Sequence, residues 1–126
     1  MPPVPVVPRP LNAAEQAVLE HLLAGDFPGA PELRSQLEQA EVIATWTPDS
    51  VSVDLRVLAA ERRAPLAAGL VPVDAQVLDE RGEYVGELLV WVEDGGVLAG
   101  LEYAWVTDEM PTALPPVERI RRTPGP

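Results

Sequence analysis

The chain lacks cysteine and lysine, and it contains one histidine and one phenylalanine among its 126 residues. Without cysteine it has neither a disulfide framework nor a thiolate ligand, which excludes zinc-finger, iron–sulfur and thiol-nucleophile functions. This absence agrees with a reducing compartment, and we expect the protein in the cytoplasm. There is no run of about 18 apolar residues, and prolines interrupt the start, so the sequence predicts neither a transmembrane helix nor a signal peptide.

Catalytic motifs are missing as well. The sequence contains no phosphate-binding glycine loop, no HExxH, no GxSxG and no DxDxDG calcium loop. His21 has no Ser or metal-ligand partner at a helical spacing, so we interpret it as an ordinary helix-end residue. We therefore identify no catalytic residue, no metal site and no cofactor, although the question of an enzyme stays open for one pair of carboxylates described below.

The strongest local signal is a pair of apolar, β-prone runs, residues 84–92 and 97–106, on either side of Asp94-Gly95-Gly96. Two such runs separated by a tight glycine turn predict a β-hairpin.

Two registers are open for this hairpin. With Gly95-Gly96 as the turn, Gly86 lies opposite Trp105, Leu88 opposite Tyr103 and Val90 opposite Leu101. A slip to Asp94-Gly95 would set Glu87 opposite Glu102, and like charges so placed are unfavourable. We favour the first register. In the second, Glu87 and Glu102 would resemble a general acid/base or metal pair.

Side chains in a strand alternate between the two faces of the sheet. One face of the hairpin is wholly apolar and is expected to join the core, whereas the other mixes acids with apolar groups. The predicted partner-binding residues all lie on this mixed face: Glu87, Leu89, Trp91, Glu93, Leu98 and Glu102.

Charge is distributed unevenly along the chain. Residues 10–118 hold all 20 acids against five Arg, a net charge of −15, and residues 83–109 contain seven acids and no base. Such a field repels a phosphate backbone and attracts a basic protein surface, so we expect a basic protein partner and no nucleic acid. The simpler alternative is that the charge only keeps the protein soluble.

The remaining chain predicts two helices and three further strands. A helix over 13–24 begins with a capping box of Asn12 and Glu15 and ends at Gly25, which suits a left-handed position. A second helix is predicted over 31–40. The predicted strands before the hairpin are 42–47, 51–57 and 73–79.

These elements predict an α+β fold, with two N-terminal helices packed on one face of a five-stranded antiparallel meander sheet. Residues 1–10 are expected to be an extended, proline-rich leader, 11–116 a single domain, and 117–126 a basic, frayed tail. Two short helices cover only one face of such a sheet. The opposite face would then be left to solvent, to a partner or to the proline-rich leader, which could cover Trp91.

The stretch from Leu78 to Pro115 carries a pattern of glycine turns, an apolar strand, a Leu-Glu-aromatic strand and an acidic, proline-rich exit. Its members are Gly82, Gly86, Gly95-Gly96, Leu101-Glu102-Tyr103, Asp108-Glu109, Pro111, Leu114 and Pro115. This pattern resembles a group of small, largely uncharacterised bacterial α+β proteins. The resemblance implies an immunity- or antitoxin-type protein and assigns no catalytic residue.

The leading hypothesis is a non-enzymatic, acidic protein-binding module, such as an immunity protein for a basic, nuclease-like toxin. Two alternatives stay open. One is a small-molecule-binding protein or enzyme with a pocket between helices and sheet, walled by Trp46, Tyr103 or Trp105. The other is a homo-oligomer, a homodimer for example, that buries the open sheet face against its own copy.

Overall fold

The computed structural model describes residues 2–124 and contains two helices and one antiparallel sheet of eight strands. Helices α1 (Ala13–Leu23) and α2 (Ala30–Gln36) follow the first strand, and short 3-10 turns lie at Leu37–Gln39 and Val117–Arg119. The strands are β1 (Val4–Pro10), β2 (Ala40–Thr45), β3 (Val53–Val57), β4 (Gly69–Leu70), β5 (Val73–Leu78), β6 (Tyr84–Glu93), β7 (Val97–Trp105) and β8 (Ile120–Pro124). No helix within these residues is long and apolar enough to cross a membrane.

The predicted α+β class and the antiparallel sheet are confirmed, but the five-stranded meander is wrong. The strand order is β1-β2-β3-β7-β6-β5-β8, and β4 pairs with the far half of β6. In a meander, β3 would have paired with the next long strand, β5. Instead, the 15 residues 58–72 between them carry the chain past the hairpin, which inserts between β3 and β5.

Both ends of the described chain belong to the sheet. β1 pairs with β2, and β8 pairs with β5 from Val77↔Ile120 to Val73↔Pro124. This differs from the extended leader and the frayed tail expected above. Prolines are tolerated in β1 because an edge strand needs hydrogen bonds on one side only. Met1 of the expected leader and Gly125 and Pro126 of the expected tail lie outside the described residues.

Helix α1 begins as the sequence predicts. The Asn12 side chain accepts from Glu15 N at 2.8 Å, and the Glu15 carboxylate accepts from Asn12 N at 2.9 Å. The helix ends at Leu23, with Ala24 in a right-handed conformation as its C-cap. Gly25 does not adopt the predicted positive φ.

Helix α1 connects the two ends of the sheet. Glu15 is paired with Arg9 of β1, while Arg122 of β8 donates to His21 O. Six helical residues span about 9 Å, whereas the end strands of a flat seven-strand sheet would lie about 29 Å apart. The sheet must therefore be strongly curved around α1.

The core fills the concave side of this curve. The apolar stripe of α1 and Leu33 of α2 join the inward residues of the strands in one buried cluster. The convex side of the sheet consequently lies opposite both helices.

Candidate functional site

The hairpin of β6 and β7 adopts the favoured register over most of its length. Gly86 pairs with Trp105, Leu88 with Tyr103 and Val90 with Leu101. The alternative slip is not adopted, because Glu87 lies opposite Ala104 and Glu102 opposite Leu89. The two carboxylates are therefore not directly paired across the strands.

Near the turn, a bulge changes the register by one residue. Trp91 pairs with Gly100, but Val92 pairs with Leu98, so Ala99 is the extra residue. Because one inserted residue reverses the alternation of faces, Leu98 turns inward and is 0% exposed. Its predicted place on the partner-binding face is thus incorrect.

The other five predicted residues remain outside the buried cluster. Glu87 and Glu93 are exposed, while Leu89, Trp91 and Glu102 are half-buried. We call Glu87, Leu89, Trp91, Glu93 and Glu102 the outer face.

Trp91 is the best-fixed side chain of the outer face. Its Nε1 donates to Glu102 Oε1 at 3.0 Å. The side chain lies against Gly100, where an added Cβ would be 3.7 Å from Trp91 Cβ and 3.8 Å from its Cδ1. The proline-rich N-terminal segment does not cover it, because β2, β3 and β7 separate β1 from β6. The indole is therefore held in place while part of it stays accessible.

Strands β3 and β5 add acids to this side of the sheet, whereas β8 adds the exposed base Arg121, which pairs with Gln76 beside Glu87. Asp74 of β5 is exposed, and Asp54 of β3 lies opposite Gly100. Arg56 is a basic group on the same strand as Asp54, and Glu41 binds it at 2.6 Å. Its charge is thus already compensated.

A notch lies where β3 and β7 diverge, between the β2–β3 turn and the end of β7. Its volume is about 200 Å³, and Trp46, Ser52, Glu102 and Trp105 are among its lining residues. Trp46 Nε1 donates to Asp54 Oδ1 at 3.1 Å, which fixes this indole as Glu102 fixes Trp91. The notch is open to solvent, since Trp105 is 38% exposed.

Sequence reasoning had grouped Trp46, Tyr103 and Trp105 as possible pocket walls, and all three do line this notch. It is placed differently, however, because its lining contains no residue of α1 or α2. Ser52 was missed. Its Oγ accepts from Tyr103 N at 2.9 Å and so bridges the diverging strands, a role that only the tertiary structure reveals.

Under the C-terminal half of α1 the space between helix and sheet is nearly filled, whereas an open groove of about 530 Å³ lies at the start of the helix, with Asn12, Glu15 and Val53 among its lining residues. The cavity lined by Leu22 of α1 and by Val71, Leu88 and Val90 of the sheet side has a volume of about 10 Å³. That is roughly the room needed for a single water molecule. A ligand at this place would have to displace core side chains.

A wider groove borders the outer face where β6 changes partner from β5 to β4. It has a volume of about 330 Å³, and its lining includes Pro72, Asp74, Glu87 and Leu89. Within residues 2–124, no three His, Asp or Glu side chains converge in a way that could hold a metal ion. Comparisons with protein-family models, with curated proteins and with solved structures gave no match.

Proposed function

We propose that the protein is a non-enzymatic, acidic binding module that takes up a basic protein partner on the outer face. An immunity- or antitoxin-type protein would bind a basic, nuclease-like toxin in this way. The observation that carries the proposal is Trp91, an accessible indole fixed by Glu102 on the side of the sheet opposite the helices.

A fixed, partly exposed tryptophan suits the centre of an interface. Tryptophan is enriched among the residues that contribute most to protein–protein binding. Because the bond to Glu102 and the contact with Gly100 already restrict the indole, little side-chain entropy is lost when a partner packs on it.

The surrounding carboxylates favour a basic partner over a second copy of the chain. Glu87 and Glu93 are exposed around Trp91, with Asp74 on the neighbouring strand. Complementary charge speeds association and selects the partner. Face-to-face pairing of two copies would instead bring like charges together, and light scattering would detect the dimer if it formed.

A charge-neutralising variant tests this proposal. The face triple, Glu87→Gln, Glu93→Gln and Glu102→Gln, removes three charges from the outer face. The control triple, Glu20→Gln, Glu38→Gln and Glu118→Gln, removes three charges from exposed positions outside the hairpin. Both variants carry the same net charge.

Affinity capture from the source cells identifies the partner, whose dissociation constant is then measured for each variant at several salt concentrations. The face triple should bind at least about tenfold more weakly and with less salt dependence, and Trp91→Ala should lose a similar factor at unchanged charge. The control triple should bind like the wild type. Equal losses in both triples would mean that only net charge matters and would contradict a specific outer face.

A further inference from the structure

The notch at the end of β7 combines aromatic walls with a carboxylate. Trp46 lines it from the β2–β3 turn, and Glu102 and Trp105 line it from β7. None of its lining residues is basic. Aromatic faces attract organic cations through the ring quadrupole, and the attraction grows when the site is partly desolvated.

We propose that this notch receives the guanidinium group of an arginine side chain presented by the basic partner. The inference rests on the function proposed above and adds the residue type that the partner must supply. Glu102 belongs both to the outer face and to the notch, so a partner seated around Trp91 can reach the notch with one side chain.

The bonds already made in the notch leave room for this ligand. Glu102 uses Oε1 to accept from Trp91, which leaves Oε2 for an incoming donor. Trp46 uses its only donor on Asp54, so its ring contributes an apolar wall rather than a polar group. Ser52 is 3% exposed and bonded to Tyr103 N, which makes the floor rigid.

Size and chemistry favour arginine over other ligands. A volume of about 200 Å³ lies below the roughly 300–1,000 Å³ of pockets that enclose whole drug-sized molecules, and it suits one side chain. A planar guanidinium stacks on an indole and donates several hydrogen bonds to a carboxylate, whereas a lysine ammonium is more strongly hydrated. An anion would face Glu102 and be repelled.

The test uses N-acetyl-arginine amide as the probe and N-acetyl-citrulline amide as its neutral isostere, at constant ionic strength. Nuclear magnetic resonance follows the three indole N–H signals during each titration. Arginine should shift the Trp46 and Trp105 signals saturably. Citrulline should leave them unchanged over the same concentrations, and the lysine analogue should bind several-fold more weakly.

Variants locate the binding. Glu102→Gln keeps an oxygen for Trp91 Nε1 but removes the charge, and it should weaken arginine binding about fivefold or more. Trp105→Ala should weaken it similarly. Glu38→Gln removes the same charge from an exposed position outside the hairpin and should bind within about twofold of the wild type. Unchanged amide spectra elsewhere verify that each variant is folded.

Three results would overturn the inference: no saturable shift with arginine, an equal shift with citrulline, or an equal loss in Glu38→Gln and Glu102→Gln. The outcome is separable from that of the proposed function. If arginine does not bind but partner capture still depends on the face triple, only the notch is refuted. If arginine binds while the face triple captures partners normally, the outer-face function and the partner as the source of the arginine are refuted, while the notch itself still binds arginine.

Discussion

Gln36 joins helix α2 to the hairpin through a fully used buried amide. The residue is 2% exposed. Its Nε2 donates to Arg62 O and to Gly96 O, both at 2.9 Å, and its Oε1 accepts from Leu98 N at 2.9 Å. One side chain thus satisfies three backbone groups at the hairpin turn and in the neighbouring loop, and so positions the bulge that turns Leu98 inward.

Replacing Gln36 by Leu should therefore be costly. The leucine has a similar volume but leaves Leu98 N and Arg62 O without the amide as partner, while Gly96 O keeps its bond from Ala64 N. We expect a loss of about 2–4 kcal/mol in the free energy of unfolding. Urea denaturation followed by tryptophan fluorescence measures it. The exposed Gln39→Leu should change stability by no more than about 0.5 kcal/mol. Equal effects at both positions would mean that the Gln36 bonds are not stabilising.

Asp79 organises the turn before β6. Its Oδ1 accepts from Arg81 N at 2.8 Å and from Glu83 N at 2.9 Å. The bond from Glu83 N, with a smaller contribution from Arg81 N, lowers the pKa of the Asp79 carboxyl below its ordinary value.

This lowered pKa gives a pH-dependent prediction. Because the folded pKa is lower than the unfolded one, the carboxylate stabilises the fold above the unfolded pKa, near pH 4, and this stability is lost as the pH falls through the folded pKa. Asp79→Asn, which cannot ionise, should lose less stability than the wild type between pH 5 and pH 3. Parallel curves of unfolding free energy against pH would contradict it.

Among the secondary-structure elements, strand β1 is linked to helix α1 through Arg9. Two of its guanidinium nitrogens, Nη1 and Nη2, donate to the Glu15 carboxylate at 2.8 and 2.9 Å. Glu15 is 3% exposed, while the Arg9 side chain is 41% exposed. The hydrogen bond to Glu15 raises the pKa of Arg9. The strand therefore neutralises a buried charge at the first turn of the helix.

Arg9→Met should leave the Glu15 charge buried with only the Asn12 N–H as partner. We expect a loss of about 2 kcal/mol, below the value for a fully buried pair because Arg9 is partly in water. The double variant Arg9→Met, Glu15→Gln keeps the bond to Asn12 and removes the charge, so it should recover at least half of the loss. A double variant less stable than Arg9→Met alone would argue against a charge effect. Thermal unfolding at neutral pH compares the three proteins.

The sequence predicts best those elements whose structure depends on residues close together in the chain. The hairpin register follows from the glycine turn and from the repulsion of Glu87 and Glu102, and the capping box follows from residues three apart. Strand β1 was not predicted because Pro5 and Pro8 are typical of irregular segments, and only its place at the sheet edge makes them acceptable.

The candidate site could be predicted only where side chains alternate regularly between the two faces of the hairpin. Trp91 and Glu102 were placed on one face correctly, because both lie in the part of the hairpin that keeps the predicted register. Leu98 was misplaced because Ala99 carries no sequence signal of a bulge. The notch depends on Ser52 and Trp105 from segments more than 50 residues apart, which no local pattern brings together.

At the scale of the whole molecule, the curved sheet separates two environments. Its concave side holds the helices and the apolar core, and its convex side carries carboxylates in a chain with a formal net charge of −11. Excess charge of one sign destabilises a compact state through self-repulsion. Acids that the fold does not use thus need another reason for their position, and either solubility or the proposed binding supplies one.

The face triple also tests whether the outer-face acids are needed for the stability of the fold. Glu87 and Glu93 are exposed, and a glutamine at position 102 can still accept from Trp91. The stability of the face triple should therefore equal that of the wild type or exceed it by up to about 1 kcal/mol at low salt. The difference should vanish near 0.5 M salt, where repulsion is screened. Chemical denaturation at both salt concentrations measures it beside the Glu20, Glu38 and Glu118 control triple. A loss above about 1 kcal/mol confined to the face triple would make the acids structural and remove the stability argument for a binding face.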